Sequence, residues 1–388
     1  MAERLYNSPL FKGARDYGKA RCDTWFILSA KHGLVDPSEI IAPYDESLVG
    51  MPPTERRKWS QEIFSRLVEN TSSTDRIILL AGKPYREFLV PLLQARGNEV
   101  AAPLSGLGIG SQAGWLLKLT TEHERLRDLD RLYELLRRLG DHLGGPRVLA
   151  SCTGKNDWPG KGIYLFFEPN EMRMSAPFDF RLVRIGTHSV SSGSKTTLWN
   201  RLRTHRGGET DGSGNHRGSI FRLHVGEALI KSRGLEDDFS TWGKGQSASS
   251  AIRKTEANLE RLVSNYLGQM SLLWLAIEDP AGPASDRAYL ERNLIGLVSG
   301  PFGPIDLPSR TWLGNYSSKS AITSSGLWNI NHVDHSYDPR ALDVLEQYVE
   351  VSIGAAPKPT GPLAPKDWHK RSQSVLGAKQ LSLLEGQE

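Results

Sequence analysis

Two extended runs followed by a helical pattern, in the middle of the chain, restrict the possible folds more than any other feature. Residues 162–167 form an apolar and aromatic run that predicts a buried strand, and residues 180–186 alternate apolar and basic side chains, which predicts a second strand. A Gly/Ser/Lys loop then leads to a predicted helix near Thr197, whose hydroxyl can cap it. Arg201 and His205 stand four residues apart on this helix, so they share one face.

Three short motifs in this stretch resemble those of a known family. They are Gly162-Ile-Tyr164, Arg184-Ile-Gly186 and Arg201-x3-His205, in that order. This combination resembles the GIY-YIG nucleases. Two departures mark a divergent member: Arg184 stands where the family has its second tyrosine, and the two tripeptides are farther apart than in the family's usual hairpin. The resemblance implies an α+β domain with a small mixed or antiparallel sheet.

The resemblance also implies hydrolysis of a phosphodiester bond and gives roles to residues of these motifs. Tyr164 would deprotonate or orient the attacking water, with His205 as its partner or as a phosphate contact. Arg201 would stabilise the extra negative charge of the transition state, because a planar guanidinium aims two donors at it. Arg184 brings a permanent charge in place of a phenol, so it would either contact the phosphate or weaken catalysis.

A carboxylate on an apolar helix face is the main candidate outside these motifs. Ser285 opens a predicted helix on which Glu291 shares a face with alanine, leucine, isoleucine and valine side chains. Such a carboxylate needs an ionic partner or a cation. One interpretation is a salt bridge to Arg287, four residues earlier. The other follows from the family, whose metal-binding carboxylate lies on a helix after the core motif: Glu291 would bind Mg²⁺ or Mn²⁺.

Further candidates surround these residues. The family's late asparagine, which fixes the end of the site, could be Asn315, Asn329 or Asn331, and the tryptophan and glycine near Asn329 favour that residue. The other substrate-binding candidates of this domain are Gly162, Gly186, Thr187, His188, Lys195, Arg203 and Arg206. Basic residues interleaved with aromatic and histidine side chains predict a positive surface for phosphate backbones, namely Lys195, Arg201, Arg203, Arg206, Arg217 and Arg222. The alternative is a solvated face without a partner.

The first 118 residues predict a separate α/β domain. Strand-like runs at 24–29, 76–81 and 99–102 alternate with helical patterns, which predicts a parallel-type sheet with helices. Ligands of such sheets lie beyond the carboxyl ends of the strands, where Lys31, His32 and Lys83 fall. These residues are either substrate-binding or ordinary turn and cap residues. The domain loosely resembles YaaA-like bacterial proteins, and we expect it to recognise a substrate, modified base or nucleotide.

The remaining segments complete the predicted organisation. Residues 119–146 predict an amphipathic linker helix, residues 147–351 the nuclease-like domain, and residues 352–388 a mobile tail rich in Pro, Lys, Gly and Ser. Inside the second domain we expect a further strand at 220–225, a helix at 251–267 and a strand at 272–277.

Composition places limits on the partners and the compartment. A net charge of +4 over 388 residues means that a nucleic-acid surface must come from local clustering. The two cysteines fit a reducing compartment, and no Cys/His spacing predicts zinc. Because neither a signal peptide nor an apolar run of spanning length is present, we expect a cytoplasmic protein without a membrane partner.

The sequence therefore predicts a metal-dependent endonuclease that acts on nucleic acid, with DNA as the expected substrate, in bacterial DNA repair or in defence against foreign DNA. Two alternatives stay open. The chain could be a catalytically inactive nucleic-acid-binding protein, weakened at Arg184. It could also be a nucleotide- or base-modifying enzyme that acts through its N-terminal domain.

Overall fold

The computed structural model describes residues 1–174, 179–301, 303–366, 368 and 369. The chain forms two compact units, Met1–Leu126 and a second that begins at Arg127. No helix within these described ranges is long and apolar enough to span a membrane.

The first unit combines short strands with helices, as its predicted α/β class requires. After a 3-10 turn at Ala2–Arg4 its elements are α1 (Pro9–Arg21), β1 (Ile27–Ser29), β2 (Gly33–Val35), α2 (Pro53–Asn70), β3 (Arg76–Ile78), α3 (Lys83–Arg86), α4 (Leu89–Arg96), β4 (Glu99–Ala101) and the start of α5 (Ile109–Leu143). Strands β3 and β4 pair in parallel, as expected. Strand β1 instead pairs antiparallel with β2, a strand that the sequence analysis did not predict. Gly33, at φ +73°, supplies the left-handed backbone at this turn.

The core of this unit forms on one face of α2. Trp59, Ile63 and Leu67 recur every four residues and are buried, and they pack in one cluster with Leu89 and Leu93 of α4. The indole of Trp59 donates to the carbonyl oxygen of Ser29 at 3.0 Å, which ties α2 to β1.

The second unit is built on one four-stranded antiparallel sheet, in the order β5-β8-β6-β7. Its elements are β5 (Arg147–Val148), β6 (Gly162–Met172), β7 (Phe180–Thr187), α6 (Leu198–Arg206), α7 (Ile220–Arg233), α8 (Ser250–Gly268), β8 (Ser271–Ala276), α9 (Asp286–Ser299), α10 (Ser320–Ser325) and α11 (Arg340–Ser352). Short 3-10 helices lie at Leu149–Ser151, His216–Gly218 and Leu313–Tyr316. The predicted α+β class with a small antiparallel sheet is confirmed.

Both faces of the central strand β6 are covered by helices. Ile163 and Leu165 pack in a core with side chains of α5, α9 and α11, whereas Tyr164 and Phe166 pack with side chains of α6, α7 and α8. Successive side chains of a strand point to opposite faces, so a strand covered on both sides reads as a continuous apolar run. This explains the composition of residues 162–167.

Two element predictions differ from the structure. Strand β6 continues to Met172 instead of ending at 167, because Asn170, at φ 69°, and a register shift after Phe167 absorb the expected turn as a bulge. Residues 220–225 belong to helix α7 and do not form a strand. Phe221, Val225 and Leu229 recur every four residues on its buried face, a period that a six-residue run is too short to show.

The predicted linker and tail are both attached to the second unit. Helix α5 continues through residues 119–143 without a break, and its Leu129, Leu132 and Leu136 lie in the second unit's core. After α11, the N–H groups of Leu363 and Ala364 donate to the Asp286 carboxylate at 2.8 and 2.9 Å. Residues 367 and 370–388 of the predicted tail lie outside the described residues.

Candidate active site

The phenol of Tyr164 stands at the centre of the candidate site. Strand pairing places Tyr164 opposite Gly186, and a Cβ at Gly186 would overlap the Tyr164 ring and its hydroxyl. Glycine is therefore required at 186 because the tyrosine side chain lies across its α-carbon. The Tyr164 hydroxyl lies 3.0 Å from Nε2 of His205, and the tyrosine is only 1% exposed.

His205 is the partner of this phenol, as predicted. It lies in the last turn of α6, and its other ring nitrogen, Nδ1, is 2.8 Å from Oγ of Ser219. Complete burial, followed by the charges of Arg201, Arg184 and Arg222, lowers the pKa of His205 well below 6.5. The imidazole is therefore neutral at physiological pH.

Arg201 lies one helical turn before His205 on α6. Thr197 caps this helix, since its hydroxyl accepts the N–H of Asn200 at 3.2 Å. Within the described ranges the Arg201 guanidinium has no hydrogen-bond or ion-pair partner, and its Nε is buried. Its charge acts on both His205 and Glu291. A buried, unpaired guanidinium nitrogen is costly unless a ligand completes it.

Glu291 belongs to α9, which Ser285 caps as predicted, and its carboxylate lies at the end of β7. Its Oε1 accepts the main-chain N–H of Thr187 at 3.1 Å, directly after Gly186. Burial raises the pKa of Glu291, and the charge of Arg184 partly opposes this rise. The alternative salt bridge to Arg287 is wrong: that guanidinium binds Asp279 and the carbonyl oxygen of His188.

The donor set around Glu291 fits a site with a single carboxylate. The described residues contain no group of three or more His, Cys, Asp or Glu side chains that could hold a metal ion. Mg²⁺ usually keeps several waters and takes one or two carboxylates together with substrate phosphates. Glu291 is only partly buried, and its Oε2 has no hydrogen-bond partner among the described residues, so one carboxylate oxygen is available to such an ion.

Arg184, in place of the family tyrosine, is turned into the protein. Its Nη1 donates to the carbonyl oxygen of Trp328 at 2.5 Å, and its guanidinium lies over the ring of Phe221, 4.6 Å from the centroid. Burial lowers the pKa of Arg184, with the charge of Arg201 adding to this effect and the neighbouring Tyr164 phenol opposing it. The expectation that Arg184 contacts the phosphate directly does not fit this position, because its side chain is only 8% exposed.

Asn329 binds the main chain beside the site. Its Oδ1 accepts the N–H of Ile185 at 3.1 Å and its Nδ2 donates to the Ile185 carbonyl at 2.7 Å. The amide thus pairs with the free edge of β7 as a strand residue would. Among the alternatives, Asn315 donates to the carbonyl oxygens of Ser309 and Arg310, and Asn331 is exposed. Of the three candidates, Asn329 is the one whose side chain binds β7, through Ile185, and its predicted role at the end of the site stays a prediction.

The residues at the end of β7 connect the motifs to each other. Thr187 donates its hydroxyl to the carbonyl oxygen of Gly162 at 2.9 Å, and β8 runs so close to Gly162 that a Cβ there would overlap Leu275. His188 approaches the Gly160 carbonyl with Nε2 at 3.3 Å, and burial lowers the pKa of His188 to about 4. Within the described part of the chain its buried Nδ1 has no partner.

The predicted positive surface is smaller than the sequence implied. Arg206 donates to the carbonyl oxygen of Cys152, Arg217 pairs with Glu256 at 2.6 Å, and Arg222 pairs with Glu260 at 2.6 Å. These three arginines bind internal carbonyl or carboxylate groups, so they are not available to a phosphate backbone. The basic residues that remain available to a phosphate backbone are Lys195 and Arg203, which are exposed, and Arg201.

Two of the three candidate residues of the first unit contact other side chains of that unit. Lys31 pairs with Glu46 at 3.1 Å, and the His32 ring lies edge to face with Tyr44 at 5.2 Å. Lys83 is exposed in the first turn of α3. Their predicted role in substrate binding stays a prediction.

Among the residues behind His205, sequence reasoning missed Ser219 and Glu260 and placed Arg222 on the positive surface. Ser219, Arg222 and Glu260 are almost completely buried and contact the imidazole or the main chain of His205, directly or through one another. A serine two residues before Phe221 is a helix-capping signal, but it was hidden by the prediction of a strand at 220–225.

Comparison with known proteins identifies the class. A family model described as GIY-YIG domain matches residues 123–353, more than half of the chain. The protein belongs to the GIY-YIG family, whose members are nucleases and therefore hydrolases of nucleic acid, as the motifs predicted. Residues 1–118 match a family of unknown function (DUF6884), and nothing in the comparisons supports the looser likeness to YaaA-like proteins.

One curated relative is similar to part of the chain. It is described as the uncharacterized protein YfjM of Bacillus subtilis (strain 168), and it is 29% identical over 133 residues, which are 32% of this chain and 83% of that protein. No solved structure matches the chain.

Proposed function

We propose that the second unit is an active, metal-dependent endonuclease whose reacting groups are Tyr164, Arg201 and Glu291, with His205 as the partner of Tyr164. The observation that carries this proposal is the guanidinium of Arg201, which lacks a protein partner among the described residues although its Nε is buried. An ordinary structural arginine in this unit binds a carboxylate or a carbonyl, as Arg206 and Arg287 do. Arg201 is therefore completed by a ligand, and a phosphate matches its geometry.

The phenol of Tyr164 is arranged to handle the proton of a water molecule. The neutral imidazole of His205 holds the phenol oxygen at 3.0 Å, so that oxygen has a fixed place beside Gly186. A positioned hydrogen-bonding group next to the nucleophile typically contributes about 10²- to 10⁴-fold to the rate. Arg201 supplies positive charge where negative charge develops on the phosphate.

Glu291 would hold the divalent cation. When bound, Mg²⁺ or Mn²⁺ would act as a Lewis acid on the phosphate oxygens and favour departure of the leaving group. The protein's own part is to keep Glu291 in place through the N–H of Thr187 and to surround it with the charges of Arg184 and Arg201. We further propose DNA as the substrate, in cytoplasmic repair or in defence against foreign DNA, as the sequence resemblance implies.

The first experiment incubates the full-length protein with single- and double-stranded DNA and RNA, in Mg²⁺, Mn²⁺ or EDTA. Cleavage of DNA that needs a divalent cation and stops in EDTA is expected. Full activity in EDTA would contradict the role of Glu291, and cleavage confined to RNA would contradict the choice of DNA.

The second experiment compares Arg201→Ala with Arg203→Ala, two arginines of one helix. Removal of one preorganised donor costs on the order of 10²–10³ in rate, so Arg201→Ala should abolish measurable cleavage while affinity changes little. Arg203 is exposed and should lose only modest affinity, with a weaker salt dependence. Equal losses of cleavage and affinity in both variants would mean that Arg201 belongs only to a binding surface.

The second candidate function is a catalytically inactive nucleic-acid-binding protein. It is favoured by one observation, the buried arginine at the place of the family's second tyrosine. Intact binding without cleavage of any substrate by the unmodified protein is the result expected from that alternative.

A further inference from the structure

A layer of buried side chains lies at the Nδ1 side of the His205 ring, opposite the nitrogen that contacts Tyr164. Ser219 Oγ is 2.8 Å from Nδ1 and, as the cap of α7, accepts the N–H of Arg222 at 3.2 Å. Arg222 Nη1 donates to the carbonyl oxygen of His205 at 2.9 Å. Helix α7 therefore holds both the imidazole and the main chain of His205.

The orientation of Arg222 is fixed in turn by Glu260. Glu260 Oε2 accepts hydrogen bonds from Nε and Nη2 of Arg222 at 3.0 and 2.6 Å. Glu260 Oε1 accepts the main-chain N–H and the Nδ1–H of His216 at 2.7 and 3.0 Å. Burial acts to raise the pKa of Glu260, but the hydrogen bond from His216 and the charge of Arg222 outweigh it, so this pKa is lowered. Glu260 is thus an ionised anchor with all four contacts satisfied.

Two neutral tautomers of His205 are compatible with these distances. With the proton on Nδ1, the imidazole donates to Ser219 Oγ and accepts from Tyr164, and the buried Ser219 hydroxyl proton is left without an acceptor among the described residues. With the proton on Nε2, Ser219 donates to Nδ1 and His205 donates to the Tyr164 oxygen. The unmatched proton is then that of the phenol.

The difference between the tautomers is the place of the unmatched proton. Ser219 and Tyr164 are both 1% exposed, so burial alone does not decide between the two forms. Ser219 caps α7 on the side of the imidazole opposite Tyr164, where a missing acceptor is a lasting cost. The Tyr164 phenol belongs to the proposed reaction site beside Gly186, where water or a phosphate oxygen completes it. Only the Nε2-protonated form gives both ring nitrogens of His205 and the hydroxyl protons of Ser219 and Tyr164 a partner once substrate is present.

We propose that Ser219 is a positioning residue that sets the tautomer of His205, with its hydroxyl donating to Nδ1 so that Nε2–H donates to the Tyr164 oxygen. This deepens the proposed function and rests on it for its catalytic meaning. A donor aimed at the phenol oxygen stabilises the phenolate that remains when the Tyr164 proton passes to a phosphate oxygen of the substrate, and this phenolate can then accept the proton of the attacking water. It also leaves the Tyr164 hydroxyl free to face the substrate.

The tautomer itself can be measured without any cleavage assay. In the full-length protein with ¹⁵N-labelled histidine, long-range ¹H–¹⁵N correlation near neutral pH distinguishes the nitrogen that carries the proton from the one that does not, and His205→Asn identifies the signal. We expect the proton on Nε2 of His205. A proton on Nδ1 in the unmodified protein would overturn the proposal.

Two substitutions at Ser219 test its consequence for the reaction. Ser219→Asp keeps the helix cap, but its carboxylate can only accept a hydrogen bond, so His205 must carry a proton on Nδ1. We expect kcat to fall about 10²- to 10⁴-fold with little change in KM. Ser219→Thr keeps both the cap and the hydroxyl and is expected to retain the tautomer and most of the rate. Ser249→Ala, which removes the exposed cap of α8, controls for the loss of a cap and should leave kcat unchanged.

The outcomes separate this proposal from the proposed function. If the unmodified protein cleaves nothing, the endonuclease proposal fails, and the resonance experiment still decides the tautomer. If the protein cleaves and Ser219→Asp carries the proton on Nδ1 at full rate, the catalytic meaning of the tautomer is refuted although the endonuclease proposal stands. Equal loss of rate in Ser219→Thr and Ser219→Asp would reduce Ser219 to a packing residue.

Discussion

At the scale of single residues, Arg184 shows how a charged side chain can replace a phenol in the core of the sheet. Its Nη1 binds a main-chain carbonyl and its face lies on Phe221, so part of its desolvation is offset. Burial is the main reason why the pKa of His205 is low, and the positive charges of Arg201, Arg184 and Arg222 lower that pKa further. Within the protein, Arg184 therefore acts on the candidate site through its charge and its hydrogen bond with Tyr164.

Glu291→Gln tests the cation at the same scale. The amide keeps an oxygen for the N–H of Thr187 but removes the negative charge that Mg²⁺ requires. We expect cleavage to be lost while nucleic-acid binding in EDTA is retained. Binding is followed by fluorescence anisotropy and folding by thermal unfolding. Loss of binding together with the fold would show that the residue is structural.

Glu168 provides a prediction about pH and stability. Its Oε2 accepts the indole N–H groups of Trp312 and Trp328 at 3.0 and 3.3 Å, and Oε1 binds the Tyr266 hydroxyl. Burial raises the pKa of Glu168 above 4.5. As the pH rises through 4.5 the unfolded chain loses this proton before the folded one does, so the free energy of unfolding decreases over that window and stays lower above the folded pKa.

Glu168→Gln removes the titration and can reproduce the contacts through its carbonyl oxygen and amide. We expect the variant to gain stability relative to the unmodified protein as the pH rises from acid to neutral, measured by chemical denaturation. Glu168→Ala leaves two buried indole N–H groups unpaired, at about 1–3 kcal/mol each. A Gln variant whose stability relative to the unmodified protein does not change with pH would contradict the raised pKa.

At the scale of elements, the β6–β7 pair determines where the reacting groups stand. Gly186→Ala should displace the Tyr164 ring, because a methyl group and the phenol cannot occupy the same space. We expect a loss of cleavage of at least about 10²-fold and a destabilisation of about 1–3 kcal/mol. Gly282→Ala, where a Cβ meets open space, is the matched control. Normal activity of Gly186→Ala would show that the phenol position is not critical.

The free edge of β7 is closed by residues 328 and 329 and not by another strand. Trp328 donates its N–H to the carbonyl oxygen of Val183 at 2.7 Å, and the Asn329 side chain makes the next two bonds, to Ile185. An unpaired strand edge would otherwise be open to association with other chains. This short segment therefore protects the sheet and fixes the end of the site at once.

At the scale of the whole molecule, the second unit depends on helix α5. Five of its leucines, Leu129, Leu132, Leu135, Leu136 and Leu139, are buried in the core that covers one face of the sheet. At about 1.5–3 kcal/mol for each buried leucine, their removal would cost on the order of 10 kcal/mol. That is comparable to the entire stability of a typical domain.

A protein of residues 123–388 should therefore fold and keep nuclease activity, whereas residues 147–388 should not fold cooperatively, as circular dichroism and thermal unfolding would show. The nuclease unit would then start earlier than residue 147, the boundary that the sequence predicted. If the first unit recognises substrate, residues 123–388 should also lose substrate preference. A cooperative transition in residues 147–388 would contradict the structural role of α5.

The sequence alone was enough for the features that depend on neighbouring residues. Local spacing predicted the order strand, strand, helix and the buried character of residues 162–167. It also predicted the Thr197 and Ser285 caps and the shared face of Arg201 and His205. The family resemblance rests on the same local motifs.

Only the tertiary structure could decide which polar groups are available to a substrate. The carbonyl of Cys152, the carboxylate of Glu260 and the main chain of Ile185 meet Arg206, Arg222 and Asn329 from distant parts of the chain. Whether a basic side chain faces a phosphate or neutralises an internal group depends on which distant groups become buried beside it, and no local pattern encodes that. For the same reason only the tertiary structure revealed the serine behind His205 and the guanidinium of Arg201, which has no partner among the residues that the structure describes.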